Sequence, residues 1–164
     1  HIAMDVASRL NKKLKVVAKL DSFVPQYKNY YQRYIVPRRR KYGPLIEWIG
    51  EVDETERNEL MKNSLCLLHP ITFPEPFGLT MIESMACGAP VIAFNKGSVP
   101  EIVVEGKTGF IVNGKNPKKM AEKVTDLGFI SRKECRDYAL EHFSAKRMAD
   151  GYEQLYKKLL KESR

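Results

Sequence analysis

The sequence predicts an α/β fold, with a doubly wound parallel sheet of the Rossmann-like type covered by helices on both faces. Short apolar segments rich in valine, isoleucine and leucine alternate along the chain with longer segments that carry apolar residues at helical spacing. Runs that are apolar throughout, such as 90–94, are typical of strands buried on both faces. A length of 164 residues suits one unit of this kind, and we expect residues 1–164 to form a single domain.

Composition excludes several classes of protein. The chain is 43% hydrophobic and 29% charged, as ordinary globular proteins are, which excludes collagen-like, mucin-like and wholly disordered chains. No apolar run approaches the roughly 20 residues of a membrane-spanning helix, and the N-terminus lacks the pattern of a signal peptide. Cys66, Cys87 and Cys135 form no CxxC pair, so we expect neither a disulfide framework nor a zinc ribbon, and we predict a cytoplasmic location.

Five short apolar runs predict the strands, which span 14–20, 45–50, 65–69, 90–94 and 110–112. The segments between them combine apolar residues at helical spacing with residues that start or stop helices. The predicted helices span 2–10, 27–36, 53–63, 79–87, 117–127, 132–142 and 145–162, with a short helix that Ser98 caps. Pro37 is expected to stop the second of these. The last helix is amphipathic, and its apolar side packs either on this domain or on a partner domain.

The loop and helix start EPFGLTMIE, at 75–83, form the strongest candidate for a binding site. They follow the strand predicted at 65–69, and ligands of open parallel sheets bind beyond the carboxyl ends of the strands. Gly78 permits close approach to the backbone, and the N-terminus of the helix offers unpaired N–H groups that suit a phosphate. Glu75 and Glu83 lie on either side, and carboxylates accept hydrogen bonds from paired sugar hydroxyls. A site that binds a phosphate in the middle and sugar hydroxyls at both sides suits a sugar nucleotide.

Simpler interpretations of the same residues stay open at this point. Thr80 and Glu83 have the spacing of a capping box, in which Glu83 satisfies backbone donors of its own helix. Glu75 is then an exposed loop carboxylate. His69, at the predicted end of a strand, either contacts a ligand or makes an ordinary hydrogen bond. The sequence has no Asp-x-Asp motif and its histidines are scattered, so we expect no metal site.

The segment PEPFGLTMIESMACGAPVIAFNKGSVPEIVVEGKTGFIV, at 74–112, resembles the nucleotide-sugar half of the group 1 glycosyltransferases, also called family 4, which have the GT-B fold. The resemblance extends back through 45–70 and forward to 142–160, so it covers most of the chain. Two glutamates separated by seven residues, around Pro-Phe-Gly-Leu, are its specific signature. The resemblance implies a metal-independent transferase that uses a nucleotide-diphosphate sugar as a substrate and needs no cofactor.

The resemblance also implies a role for each candidate residue. Glu75, the predicted catalytic residue, faces the donor sugar and positions it, and Glu83 holds the ribose hydroxyls. The backbone of four consecutive residues meets the sugar and the phosphates, namely Phe77, Gly78, Leu79 and Thr80. A turn beside the base consists of Gly50, Glu51 and Val52. Transfer retains the anomeric configuration of the sugar, while backbone N–H groups and basic residues stabilise the departing diphosphate.

The resemblance further implies that part of the enzyme lies outside this sequence. The second half of the family's fold opens with a strand and a loop whose Arg and Lys clamp the diphosphate, and nothing here matches them. In the strand order 3-2-1-4-5-6 that first strand is central, so we expect a gap, or a strand supplied from elsewhere, between 14–20 and 65–69. The N-terminal acceptor-binding half is also unmatched. We therefore expect a donor-binding domain, truncated on its N-terminal side, that does not catalyse transfer alone.

The segment YKNYYQRYIVPRRRKY, at 27–42, combines five tyrosines with a basic cluster, and the formal net charge of the chain is +8. Such a segment can contact an anionic membrane or an acidic acceptor, bind single-stranded nucleic acid, or form an ordinary solvated helix and loop. Nucleic acid is not the partner we expect. A noncatalytic module that binds anions or nucleic acid, and a sugar-nucleotide epimerase of the same fold, are the alternative hypotheses to the transferase.

Overall fold

The computed structural model describes residues 1–20 and 23–162. Its α-helices are α1 (Ile2–Leu10), α2 (Pro25–Tyr30), α3 (Val36–Tyr42), α4 (Glu54–Lys62), α5 (Leu79–Ala86), α6 (Val99–Ile102), α7 (Pro117–Thr125), α8 (Arg132–Phe143) and α9 (Ala145–Glu162). Its strands are β1 (Leu14–Val17), β2 (Ile46–Gly50), β3 (Leu67–His69), β4 (Val91–Phe94) and β5 (Gly109–Val112). The predicted alternation of strands and helices is confirmed, although the ends of several elements are shifted.

The strands form two parallel sheets rather than one continuous sheet. β1 pairs with β2, while β3, β4 and β5 pair in that order, and all three of these pairings are parallel. β1 and β3 are not paired with each other, so each has an unpaired edge within the part of the chain that the structure describes. The gap that we predicted between these two strands is therefore confirmed.

Both faces of the three-stranded sheet are buried, as a doubly wound fold requires. The four residues of β4 have at most 1% of their surface exposed. On one face Ile92 and Phe94 pack with residues of α1 and α7, and on the other face Val91 and Ala93 pack with residues of α5, α6 and α8. The faces alternate because successive side chains of a strand point in opposite directions. The predicted α/β class with helices on both faces is confirmed.

The two-stranded sheet has a separate and smaller core. Four buried residues form it: Met4, Ala7, Ile35 and Ile46. Helix α1 contributes to this core and also, through Val6, to the core of the three-stranded sheet. Helix α1 therefore connects the two sheets across the gap.

The helical segment before β2 does not end at Pro37, so that prediction is wrong. A π-helical turn (Tyr31–Ile35) links α2 to α3, and the backbone stays helical from one to the other. Pro37 lies in the first turn of α3, directly after the π-helical turn, in which the Val36 N–H donates to the Tyr31 carbonyl. The basic cluster of the sequence therefore lies on a helix and not in a loop.

A groove of about 810 Å³ lies between β1 and β3. Its sides are formed by β1 and by residues 65–68, and its walls by α1 and Val124 on one face and by α4 and α5 on the other. An unpaired strand edge presents N–H and C=O groups with which another strand can pair. The groove thus has the form of a strand position, with a strand edge on each side and helices above and below.

Helix α9 is amphipathic, as predicted, but it does not bury its apolar side on this domain. No residue of α9 is buried among the residues that the structure describes. Four apolar side chains are between 48% and 62% exposed: Met148, Tyr152, Leu155 and Leu159. None of the described helices is both long enough and apolar enough to cross a bilayer.

Candidate functional site

The loop between β3 and α5 places the predicted site at the carboxyl end of the three-stranded sheet. Helix α5 begins after Gly78, which is buried and has a φ of +83°. A Cβ atom at this position would lie 2.3 Å from the Met81 Cε atom and 3.3 Å from the Glu75 Cγ atom. Glycine is favoured because both the left-handed backbone and the lack of space disfavour a side chain. The N-terminus of α5 therefore lies directly beside Glu75.

Contacts from the turn after β4 hold this loop in place. The Ser98 N–H donates to the Glu75 carbonyl at 2.9 Å, and the Ser98 hydroxyl donates to the Phe77 carbonyl at 2.9 Å. At Gly97, which has a φ of +55°, a Cβ atom would lie 2.2 Å from the Glu75 carbonyl oxygen. Ser98 is the N-cap residue of α6, as predicted, but its hydroxyl bonds to the loop and not to the helix.

The Glu75 carboxylate faces the end of β3. The His69 Nε2 atom lies 3.8 Å from Glu75 Oε2, and the two side chains are only 12% and 19% exposed. Burial lowers the pKa of His69, and the Glu75 carboxylate offsets part of this effect, so His69 is neutral at pH 7. Its Nε2 atom is buried and has no hydrogen-bond partner among the residues that the structure describes. The interpretation of Glu75 as an exposed loop carboxylate is therefore wrong.

Glu83 lies in the second turn of α5 and does not cap that helix. The N-cap residue is Gly78, and no side chain makes a capping hydrogen bond there. The capping-box interpretation of Thr80 and Glu83 is therefore wrong. Instead, Glu83 Oε1 lies 3.2 Å from Nη2 of Arg57 on α4, and about one-third of each side chain is exposed (32% and 34%).

The turn predicted to lie beside a base is at the end of β2, on the other sheet. Gly50 has a φ of +98°, a conformation that favours glycine. Glu51 is exposed and forms an ion pair with Lys19 at 3.6 Å, and Val52 is partly buried. Asp53 then caps α4, as its sequence pattern predicts. The turn therefore leads directly into the helix that carries Arg57.

The structure thus brings the predicted site residues together in two groups. The first group surrounds the start of α5 and consists of Glu75, Phe77, Gly78, Leu79, Thr80 and Glu83. The second is the turn at 50–52, and the ion pair between Arg57 and Glu83 links α4, which follows that turn, to the first group. Thr80 and Glu83 also line the groove between the two sheets. The sequence analysis missed Gly97 and Arg57, because nothing local marks a residue that touches a distant loop or helix.

The basic segment makes extensive contacts within its own domain. Arg38 donates two hydrogen bonds to Asp5, from Nε to Oδ1 at 2.8 Å and from Nη2 to Oδ2 at 3.0 Å, and Tyr42 donates a third at 2.7 Å. Burial opposes ionisation of Asp5, but these hydrogen bonds outweigh burial and lower its pKa. Arg39 lies over the ring of Trp48, 5.8 Å from its centroid. Two of the four basic residues at 38–41 therefore stabilise this domain, and membrane contact by the segment stays a prediction.

Two thiols have raised pKa values, and the described residues contain no cluster that could hold a metal ion. Burial raises the pKa of Cys66 to about 12 and that of Cys135 to about 11, so both are protonated at neutral pH. Neither of them nor Cys87 is paired in a disulfide. Within residues 1–20 and 23–162, no three His, Cys, Asp or Glu side chains lie close enough together to hold a metal ion.

A known family matches the part of the chain that contains this site. The family model described as glycosyl transferases group 1 matches residues 27–141, which include both groups of site residues and more than half of the chain. The chain belongs to the group 1 glycosyltransferases. The resemblance expected from residues 74–112 is therefore confirmed.

Curated relatives of this group 1 glycosyltransferase chain share its sequence over part of their length. An uncharacterized 41.2 kDa protein in the cps region of Klebsiella pneumoniae is 34% identical over 116 residues, which are 68% of this chain and 32% of that protein. Sucrose synthase 6 of Oryza sativa subsp. japonica is 37% identical over 87 residues, which are 50% of this chain and 10% of that protein. The chain therefore spans about a third or less of these relatives.

Solved structures share the fold of nearly the whole chain. HepE of Anabaena, in complex with UDP, has a TM-score of 0.80 at 20% identity and covers 96% of this chain and 44% of its own. A glycosyltransferase of Rickettsia africae has a TM-score of 0.79 at 25% identity, and the match covers 98% of this chain and 44% of that enzyme. These likenesses confirm that the group 1 glycosyltransferase chain has the Rossmann-like fold of GT-B enzymes.

Proposed function

We propose that this chain is the donor-binding domain of a retaining glycosyltransferase whose donor is a nucleoside diphosphate sugar. The observation that carries the proposal is that Glu75 lies beside the N-terminus of α5 and Glu83 lies in the second turn of the same helix. The first N–H groups of a helix have no intrahelical acceptor, so they suit a diphosphate. HepE, which shares the fold, was solved with UDP and with UDP-glucose, which supports a UDP-sugar as the donor.

The two glutamates have different roles in this proposal. Glu75, enclosed beside His69, positions the sugar at the reacting carbon and does not serve as a nucleophile. Glu83 accepts hydrogen bonds from the ribose hydroxyls, because its two oxygens keep acceptor capacity beyond the ion pair with Arg57. The backbone at 77–80 contacts the sugar and the phosphates, and the turn at 50–52 contacts the base.

The proposed transfer is metal-independent and is assisted mainly by electrostatic stabilisation of the departing diphosphate. The positive end of the α5 dipole points at the leaving group, and its N–H groups become stronger partners as negative charge develops there. Because these groups are fixed by the fold, they need no reorganisation during the reaction. The free thiols favour a cytoplasmic location for this chemistry.

We further propose that a strand from outside the described residues fills the groove between β1 and β3, and that a separate domain binds the acceptor. The groove has a strand edge on each side and helices on both faces. It also reaches Thr80 and Glu83, so a loop that follows such a strand would arrive at the diphosphate. The chain spans less than half of the solved enzymes that it resembles, which is consistent with a second domain.

Calorimetric titration of the 164-residue chain tests donor binding directly. We expect UDP and UDP-glucose to bind, and a short single-stranded oligonucleotide not to bind, because Arg38 and Arg39 are already engaged within the domain. Binding of the oligonucleotide alone would favour the noncatalytic module. A folded chain that binds neither nucleotide would refute the proposal.

The stereochemical part needs the enzyme that carries this chain together with its acceptor-binding domain. With UDP-glucose as donor, nuclear magnetic resonance of the new anomeric proton is expected to show the configuration of the donor. An inverted product would reject the retaining mechanism. Epimerised or hydrolysed UDP-glucose in the absence of any acceptor would instead favour an epimerase of the same fold.

A further inference from the structure

We propose that Arg57 orients Glu83 for the ribose and thereby sets the preference of the site for a ribonucleotide over a deoxyribonucleotide; this inference rests on the donor site proposed above. Arg57 Nη2 lies 3.2 Å from Glu83 Oε1, and the pair joins α4 to α5. An unrestrained glutamate on a helix surface populates several rotamers and loses that freedom when a ligand binds. A guanidinium that holds one oxygen reduces this cost and leaves Oε2 for the hydroxyls.

Arg57 can act as a support because α4 is itself anchored at both ends. At its start, Asp53 caps the helix, and the Arg57 N–H donates to the Asp53 carbonyl at 3.0 Å. At its end, the carbonyls of Lys62 and Ser64 accept hydrogen bonds from the Arg132 guanidinium at 2.6 Å and 2.8 Å. A partner held on a fixed helix can position the carboxylate before the ligand arrives.

The second observation is an unsatisfied donor on the same side chain. Arg57 Nε is buried and has no hydrogen-bond partner among the residues that the structure describes. Such a donor is costly and is uncommon in native proteins unless it has a use. Arg57 and Glu83 both line the groove near Thr80, the second residue of α5, so the pair lies beside the proposed donor site. Arg57 is therefore a positioning residue for Glu83 and not a catalytic residue.

Ribose preference separates this role from a general effect of charge. Glu83 can distinguish ribose from deoxyribose only if its carboxylate is oriented toward the 2′-hydroxyl. Loss of Arg57 should therefore weaken the binding of UDP more than the binding of 2′-deoxy-UDP. If Arg57 instead attracted the diphosphate through its positive charge, its loss would weaken both ligands by the same factor, because both carry the same phosphates.

The experiment measures calorimetric dissociation constants of UDP and 2′-deoxy-UDP for the wild-type chain, Arg57→Met and Arg57→Lys. For the wild type we expect UDP to bind about tenfold more tightly, as the loss of a hydrogen bond to a charged group predicts. We expect a preference below about threefold for Arg57→Met. Arg57→Lys should be intermediate, because it keeps the charge but not the planar fork of donors.

Lys62→Met is the matched control, since Lys62 lies on the same helix but pairs with Glu59 on an exposed surface. It should keep the wild-type preference. An unchanged preference in Arg57→Met, or equal weakening of both nucleotides, would overturn the inference. If Arg57→Met does not fold, Arg57→Gln provides the same comparison with a shorter polar side chain. A wild-type chain that binds neither nucleotide would instead overturn the proposed function, and the inference with it.

Discussion

The two sheets of this chain are stabilised by different kinds of contact. The three-stranded sheet is buried on both faces, and its site loop is fixed by close backbone contacts between Glu75 and the turn formed by Gly97 and Ser98. The two-stranded sheet has a core of four buried residues, and the hydrogen-bonded ion pair of Asp5 with Arg38 adds to it. The first region should therefore be sensitive to added atoms, and the second to lost charges.

This difference fits the demands that the proposed reaction makes on each region. A sugar must be held in a narrow range of positions for transfer, and fixed backbone contacts around Glu75 provide that precision. The turn at 50–52 has only to offer hydrogen bonds to a base. The ion pair between Arg57 and Glu83 lies where the two regions meet. It is a charge contact, as in the two-stranded sheet, but it holds a residue of the site in the three-stranded sheet.

The largest effect is expected from a single methyl group at Gly97. Gly97→Ala would place a Cβ atom 2.2 Å from the Glu75 carbonyl oxygen. Gly114→Ala is the matched control, because Gly114 also has a positive φ, of +76°, but has nothing within 4 Å of its added Cβ. Urea denaturation should show that Gly97→Ala costs about 2 kcal/mol more than Gly114→Ala. It should also weaken the binding of UDP-glucose. Equal losses of stability in the two variants would show that the three-stranded sheet is not especially sensitive to added atoms.

The next effect concerns the charge contacts of the two-stranded sheet. Arg38→Met removes both hydrogen bonds to Asp5 and leaves a carboxylate that is only 22% exposed without its cation. We expect a loss of about 2 kcal/mol in the free energy of unfolding. Arg40→Met, two residues along the same helix and exposed, should change stability by less than about 0.5 kcal/mol. Equal effects of the two variants would show that the Arg38 contacts add nothing to the free energy of unfolding.

These contrasts also show how far sequence reasoning can reach. The strand at 91–94 and the glycine that opens α5 carry local signals, namely an uninterrupted apolar run and a residue without a side chain, and both were predicted. Pro37 carries an equally clear local signal, yet it does not stop the helix. The π-helical turn that precedes it keeps the backbone helical, and no local pattern in the sequence marks that turn.

The site shows the same limit. The spacing of Thr80 and Glu83 suits a capping box, but the N-cap residue of α5 is Gly78, so Glu83 is left for other partners. Its partner, Arg57, is 26 positions away in sequence and is brought near by the packing of α4 on α5. Local pattern thus predicts which residues can form the site, whereas tertiary packing decides which of them meet.

The glutamate pair sharpens the comparison within the site itself. Glu83→Gln exchanges one carboxylate oxygen for a donor group, so UDP affinity should fall by about tenfold or more. Glu75→Gln should leave UDP affinity nearly unchanged, because UDP carries no sugar, but should reduce the affinity for UDP-glucose. Calorimetry of the wild type and both variants with both ligands measures the six dissociation constants. Equal UDP affinity of the wild type and Glu83→Gln would contradict the ribose assignment.

The smallest effect expected is a pH dependence that belongs to the two-stranded sheet. The folded state lowers the pKa of Asp5 through hydrogen bonds that outweigh the opposing effect of burial, so at acidic pH the unfolded chain binds a proton more readily than the folded chain does. The stabilisation is therefore complete above the ordinary aspartate value of about 4 and is lost as the pH falls through the lower folded value.

Urea denaturation of the wild type and Asp5→Asn between pH 2 and pH 7 measures this contribution. At pH 7 the wild type should be more stable by about 1 kcal/mol, and the difference should shrink below about pH 4. Asp137→Asn is the control, because Asp137 pairs with Lys133 on the exposed surface of α8 and should show little difference at any pH. A difference for Asp5→Asn that kept its size down to pH 2 would mean that the hydrogen-bonded shape of Asp5, and not its charge, stabilises this sheet.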